Sequence, residues 1–303
     1  MFEKLPRQVT VYEVGLRDGL QNEARFVATD DKLRLAAALV EAGLTHIEAT
    51  SFVHPKWIPP LADADALVPR LPEGPAWSAL APNLHGLDRA VKSGIGEVAV
   101  FLAASETYSL KNINKSIAEA LVVSERVTAA ARGHGLKVRA YVSAVWGSPY
   151  DGDADIELVV RITQKLLAMG CYEVSLGDTV GMGTPLQTLR ILEALFYKGV
   201  RPEQLAVHLH DTRGTALANA LVALEAGITT FDASVGGLGG SPYSPGAAGN
   251  LATEDLVYML HGMGIDTGVS LPKLVAAAQV AQELVGHPLT SKYFKAAIGA
   301  GEH

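Results

Sequence analysis

The stretch LAVHLHDTRGTALANALVALEAGITTFDASVG, residues 205–236, contains one complete repeat of the fold. It opens with LAVHLHD, a short apolar run closed by polar residues, which predicts a strand. TALANALVALEAG follows with apolar residues at the three- and four-residue spacing of a helix. It ends on Gly227, a residue that tolerates the left-handed conformation past a helix C-terminus. TFDASVG, 230–236, returns to strand. Strand, helix and strand in succession predict a parallel sheet covered by helices.

The same alternation runs through the chain. Strand-like segments recur as VTVYEVG at 9–15, HIEATSF at 46–52, WSALAP at 77–82, EVAVFLA at 97–103, KVRAYVSAV at 137–145 and YEVSLGD at 172–178, which with the two above makes eight. Helical patterns such as DKLRLAAALVEAG lie between them. Eight β/α units close naturally into a barrel, whereas a doubly wound open sheet has fewer strands and calls for a phosphate-binding turn after the first. The first turn here reads GLRDGLQNE, charged and without G-x-G-x-x-G spacing. The expected fold is therefore an α/β (β/α)8 TIM barrel over residues 1–264. Residues 265–303, with LPKLVAAAQVAQELVG, form a C-terminal helical extension packed on it.

Composition narrows the class. Of 303 residues 49% are hydrophobic and 19% charged, which suits a chain that buries many strands. The net charge of −7 is spread without a run of like charges, so neither nucleic acid nor an anionic membrane is an expected partner, and a small molecule is. Cys171 is the only cysteine, which excludes an intrachain disulfide and a cysteine-built metal site and suggests a reducing compartment. The N-terminus lacks a signal-like apolar core and no apolar run approaches the ~18 residues of a membrane span, so the expected location is cytoplasmic. A homodimer is a possible assembly.

Chemistry in such a barrel belongs at the C-terminal ends of the strands. Strand one ends in Arg17-Asp18, strand two carries Glu48, strand six ends in Asp178-Thr179, strand seven holds His208 and His210, and Asn250 lies in the loop after strand eight. Residues two apart on a strand point to one face, so the two imidazoles converge on the barrel mouth. With an aspartate and an amide oxygen they make a mixed N/O set suited to Mg²⁺ or Mn²⁺, and less to zinc in the absence of thiolates. Lone strand histidines more often only hydrogen-bond, but His-x-His-Asp beside Arg-Asp favours the metal. Arg17 could be a surface ion pair of little value; at a barrel mouth it is placed to neutralise an oxyanion or enolate. Glu48 is expected to orient Arg17 or a metal-bound water. The loop GGLGGSPYSPGAAGN, 236–250, lacks the Lys-Ser/Thr of a P-loop and reads as a lid delivering Asn250 and one reactive side chain. His46, His54 and His85 are read as structural, Trp57 and Trp146 as packing or pocket wall.

The segments EVGLRDGLQNE, IEATSFVHPKW, KNINKS, SLGDTVGMGTP, LAVHLHDTRGTALAN and GLGGSPYSPGAAGNLATEDLVYML resemble, nearly end to end, the 3-hydroxy-3-methylglutaryl-CoA lyase family of metallolyase barrels. The resemblance implies that Asp18, His208, His210 and Asn250 bind a divalent cation, that Arg17 polarises a thioester carbonyl with Glu48 in support, and that His208 carries a proton. The implied reaction splits a 3-hydroxy-acyl-CoA by retro-Claisen cleavage into acetyl-CoA and a keto acid. Gln21, Thr179 and Arg213 are the expected substrate contacts. The chain departs from the family pattern in four places. Ser241 replaces the catalytic loop cysteine, Ala144 and Ser148 replace two further cysteines, Arg213 and Thr215 stand where the family has Tyr and Gln, and Ala24 replaces a basic residue that Arg25 follows. Arg213 suggests an extra or relocated substrate carboxylate. Rival expectations are an aldolase or condensing relative and a non-catalytic barrel that binds an acyl-CoA or dicarboxylate.

Overall fold

The computed structural model describes residues 5–240 and 248–300. Eight parallel strands form a closed barrel: β1 Thr10–Glu13, β2 His46–Ser51, β3 Ala76–Leu80, β4 Glu97–Ala103, β5 Lys137–Ser143, β6 Glu173–Asp178, β7 Leu205–Leu209 and β8 Thr230–Ala233. Each pairs with its sequence neighbours, and β8 closes on β1 with Thr10 beside Thr230 and Glu13 beside Ala233. All six residues of β6 and all five of β7 are buried, as both faces of a helix-covered parallel sheet require.

Local chemistry sets where the covering helices begin and end. The helix Ile156–Met169 starts where the Asp155 side chain accepts hydrogen bonds from the amides of Glu157 and Leu158, and it stops at Gly170 in the left-handed conformation. Between those points it buries Val159, Val160, Ile162 and Leu166 against the barrel. Thr184 and Gln187 form a reciprocal cap for Pro185–Tyr197, with Pro185 at the first helical position, where no amide is needed. A cap of this kind contributes about 1 kcal/mol.

Three local features depart from the sequence reading. The first strand stops at Glu13, and Arg17 and Asp18 lie on a turn of π-helix, Gly15–Gly19, rather than on a strand end. After β2 the chain makes only a one-turn helix, Ala64–Leu67, flanked by 3-10 turns. A two-residue hairpin, Gly147–Ser148 with Gly152–Asp153, follows β5. Trp146 packs in the core, its indole donating to Thr188 at 2.9 Å, but Trp57 is 80% exposed and is not part of the core.

Past Gly264 the chain forms helices Leu271–Val285 and Lys292–Ala300. Leu274, Ala277, Ala278 and Ala281 share one hydrophobic cluster with Leu35, Ala36 and Leu39 of the first barrel helix. Asp255 accepts hydrogen bonds from Ser291 Oγ and the Tyr293 amide, which fixes the start of the last helix. Among the described residues no helix is long and apolar enough to cross a membrane.

Candidate metal centre and active site

The turn that carries Arg17 and Asp18 owes its shape to a carboxylate. Glu13 Oε1 accepts from the amides of Gly15 and Val235, both at 2.8 Å, and Oε2 accepts from Thr253 Oγ1 at 2.6 Å. A Cβ on Gly15 would lie 2.6 Å from Glu13 Oε1, so only glycine permits this approach. The amide of Gly19 then reaches the carbonyl of Val14, five residues back, and Arg17 and Asp18 turn into the mouth at 7% and 8% exposure. π-turns of this kind recur at functional sites.

Asn250 arrives from the opposite direction. Leaving the glycine-rich loop, the chain pairs briefly with the end of β7, Leu251 N donating to Leu209 O at 2.8 Å and Asp211 N to Gly249 O at 2.8 Å, which sets Asn250 beside His210. Gly239, in the left-handed region, lets the loop pass so close that a Cβ would meet the Asn250 amide nitrogen at 2.4 Å. That nitrogen donates to Asp18 Oδ2 at 2.8 Å and to Leu238 O at 2.9 Å, so as placed the amide nitrogen faces Asp18.

One carboxylate oxygen of Asp18 faces both imidazoles, with His208 Nε2 at 3.7 Å and His210 Nε2 at 3.9 Å. These three buried side chains place their ligand atoms within 4.8 Å of one another. Two observations make the residues fit a divalent cation. His210 Nδ1 and Glu48 Oε1 are buried without a hydrogen-bond partner. The donor set itself is the second: two imidazole nitrogens and a carboxylate oxygen buried together are the mixed N/O ligands such an ion takes.

Arg17 is clamped from two sides, its Nε donating to Glu48 Oε2 at 2.5 Å and its Nη1 to Asp18 Oδ1. Gln21 Nε2 adds a second donor to Asp18 Oδ1 at 2.9 Å. Burial alone would raise Asp18, but Arg17 and the two imidazoles hold it far below the usual carboxylate range. Burial likewise opposes the charge on Arg17, and Glu48 and Asp18 overcome it. His208 is pushed down by burial yet raised to about 9 by Asp18 and Asp232, while His210 is lowered to about 4 by burial and by His208. Asp18 and Asp232 thus favour the proton on His208 over His210, and a cation on the same nitrogens would displace it.

Thr179 and Arg213 occupy loop-bracing positions. Thr179 Oγ1 accepts from the amide of Ala144, whose φ is 58°, and Arg213 Nη1 donates to the carbonyls of Val180 and Gly181 at 2.7 and 3.1 Å. Arg213 is exposed, with its guanidinium engaged by backbone. Asp178 accepts from the amides of Met182 and Gly183. Ser241 lies outside the described residues.

The sequence reading missed a layer of interior residues beneath this set. Asp232 on β8 meets His208 Nδ1 at 3.1 Å, and Tyr141 on β5 donates to Glu48 Oε2 at 3.1 Å. Arg139, Glu173 and Ser175 complete the layer. The available signal was parity. Arg139 and Tyr141 are two apart in KVRAYVSAV, as are Glu173 and Ser175 in YEVSLGD, so each pair faces one side of its strand, and a charge on such a strand calls for a cross-barrel partner.

Residues 8–281 match the model of the HMGL-like family. The chain belongs to the HMGL-like family. It is 50% identical over 289 residues to the hydroxymethylglutaryl-CoA lyase YngG of Bacillus subtilis, covering 95% of this chain and 96% of that protein. It is 48% identical to a 3-hydroxy-3-isohexenylglutaryl-CoA/hydroxymethylglutaryl-CoA lyase of Pseudomonas aeruginosa, covering 97% of this chain and 98% of that one. An HMG-CoA lyase from Acinetobacter baumannii, solved with coenzyme A and 3-methylmalate, superposes with a TM-score of 0.91 at 37% identity, covering 96% of this chain and 95% of that one. The barrel and the family expected from the motifs are both borne out.

Proposed function

We propose that the protein is a divalent-cation-dependent carbon–carbon lyase that cleaves 3-hydroxy-3-substituted glutaryl-CoA thioesters to acetyl-CoA and a keto acid. The observation that carries this reading is the coexistence, in one buried mouth, of a cation-binding triad and a guanidinium held by two carboxylates. A thioester enolate needs the guanidinium, and a tertiary hydroxyl needs the cation. Relatives at about half identity carry the corresponding lyase names, and one related structure holds coenzyme A.

Asp18, His208 and His210 would hold Mg²⁺ or Mn²⁺, with Asn250 adding its amide oxygen once the amide, whose nitrogen faces Asp18 here, turns over, and a mixed N/O set without thiolates favours these ions over zinc. When bound, such an ion supplies a Lewis acid that lowers the pKa of a substrate hydroxyl. Arg17 meets the negative charge that develops on the thioester oxygen as the C2–C3 bond breaks, and Glu48 keeps the guanidinium from rotating away. With Nδ1–H donating to Asp232 and Nε2 facing the ion site, His208 would have no nitrogen free to pass a proton to substrate once an ion is bound, so we assign it as a ligand. Gln21 orients Asp18. Thr179 and Arg213 act on substrate through the loops they brace. Ser241 stands at the family's proton-donor position with a hydroxyl that gives up its proton far less readily than a thiol, whose pKa is about 8.5. That weakens protonation of the enolate or suits a substrate for which it is less demanding. The cytoplasmic expectation rests on the sequence alone.

Incubation of the Mn²⁺-loaded protein with 3-hydroxy-3-methylglutaryl-CoA and with longer 3-substituted homologues should release acetyl-CoA and one equivalent of keto acid from at least one thioester. Free coenzyme A with intact acid, or no product from any of them, would rule the lyase out.

A further inference from the structure

Arg139 is among the largest side chains that the barrel encloses completely, and every polar contact of its guanidinium is to a side chain of another strand or of its own. Nε donates to Glu173 Oε1 at 2.6 Å. Nη1 donates to Tyr141 OH at 2.9 Å and to Asp232 Oδ2 at 3.1 Å, and Nη2 to Asp232 Oδ1 at 2.6 Å. Its Cζ lies 4.0 Å from the centroid of the Tyr12 ring, which backs the fan on one side.

Two arms leave the fan. One runs through Asp232, whose Oδ2 meets His208 Nδ1 at 3.1 Å and Ser175 Oγ at 2.9 Å, so that the guanidinium fixes the carboxylate that aims His208 Nε2 at the ion site. The other runs through Tyr141. Its oxygen accepts from Arg139 and therefore turns its proton to Glu48 Oε2 at 3.1 Å, the same oxygen that holds Arg17 Nε. The Tyr141 ring also lies 5.2 Å from the Arg17 guanidinium and edge-on to His208.

We infer that Arg139 is a positioning residue that couples the cation-binding half of the site to the enolate-binding half, through Asp232 to His208 and through Tyr141 and Glu48 to Arg17. The inference rests on the lyase reading for its kinetic arm only, since the cation arm is read by metal affinity. A purely stabilising role does not account for the arrangement, because a buried ion pair is a weak source of stability and well-packed apolar side chains often do as well. Only arginine serves all three partners at once: its fork has five donors in a fixed plane, whereas a lysine ammonium is a point donor that cannot bridge Glu173, Tyr141 and both oxygens of Asp232.

The test compares Arg139→Lys, Tyr141→Phe and Asp232→Asn in the full chain. Titration calorimetry of the chelator-stripped protein gives the Mn²⁺ affinity, and turnover of the thioester substrate gives kcat and KM. Asp232→Asn should weaken Mn²⁺ binding about 10- to 100-fold, the usual loss for a partner of a metal-bound histidine. Tyr141→Phe should leave Mn²⁺ affinity within about twofold while lowering kcat about tenfold or more at nearly constant KM, the signature of a lost transition-state interaction. Arg139→Lys should do both, and adding Asp232→Asn to it should weaken Mn²⁺ binding little further, because the two substitutions break one linkage. Wild-type affinity and kcat in Arg139→Lys would overturn the inference. Should that variant not fold, the other two still decide: equal effects of Tyr141→Phe and Asp232→Asn on both readouts would mean that separate arms do not exist. Loss of Mn²⁺ affinity in Arg139→Lys without turnover by any form would sustain the cation arm and count against the lyase reading alone.

Discussion

Two sets of buried carboxylates lie at the mouth of the barrel, and their environments drive them in opposite directions. Asp18 and Asp232 touch guanidinium groups and are held low, Asp232 at about 2 by Arg139 against the cost of burial. Glu13 and Glu254 accept only from backbone amides and a hydroxyl, and burial pushes them up to about 7 and about 8. Burial raises all four alike, and at Asp18 and Asp232 a fixed cation reverses the sign, whereas at Glu48 burial outweighs Arg17 and the carboxyl stays raised. On the proposed reading, the first set holds charge where an ion and an enolate would need it. The second fastens loops, Glu13 tying the π-turn to the start of the β8 loop and Glu254 straddling the Gly236 amide at 2.9 and 3.0 Å.

The contrast is broken most severely by removing its cation. Arg17→Gln should lower kcat about 10²–10³-fold, as loss of an oxyanion donor does, with Mn²⁺ affinity changed far less. A loss confined to KM would place Arg17 in ground-state binding instead. Next in size, Ser241→Cys should raise kcat with 3-hydroxy-3-methylglutaryl-CoA about 10²-fold if the charged set lacks only a proton donor. An unchanged rate would point to a substrate for which protonation is not limiting.

The loop-fastening acids make a smaller, pH-dependent effect. Because the folded state raises Glu254 above its unfolded value, it binds the extra proton, so the contribution to stability is present at low pH and is lost as pH rises through about 8. Glu254→Gln keeps the acceptor for the Gly236 amide and cannot ionise. Urea midpoints of the ion-loaded protein should therefore fall less between about pH 6 and pH 9 in the variant, the slope per group being at most about 1.4 kcal/mol per pH unit. Identical slopes would show Glu254 to be ionised throughout. Smallest of all, Arg70→Ala removes a pair with Asp30 whose side chains are 54% and 82% exposed, and it should shift stability by no more than about 0.5 kcal/mol. A larger shift would mean that burial is not what gives the charged set its strength.

The strands and the grouping of Asp18, His208 and His210 at one mouth were legible because each is written locally. An apolar run closed by His-Asp announces both a strand and what stands at its end, and His208 and His210 share a face by parity alone. The layer beneath was not legible in the same way. Arg139 finds Asp232 across 93 positions of sequence and Tyr141 finds Glu48 across another 93, so each reads as an isolated polar interruption until the barrel closes. The π-turn was hidden for a related reason: its geometry depends on a Glu13 carboxylate held from the far side by Val235 and Thr253. The exposed Trp57 escaped because residue type says little about one position on a connecting loop.

We propose that one ion, held by Asp18, His208, His210 and Asn250, makes this mouth a lyase. It is tested most directly by titrating Mn²⁺ into chelator-stripped protein while counting bound ion and acetyl-CoA release in the same samples. Release should rise in proportion to occupancy and reach its plateau at one ion per chain, with no plateau and no release in His210→Ala. Release that is complete before the ion binds, or tight one-site binding that survives in His210→Ala, would contradict it.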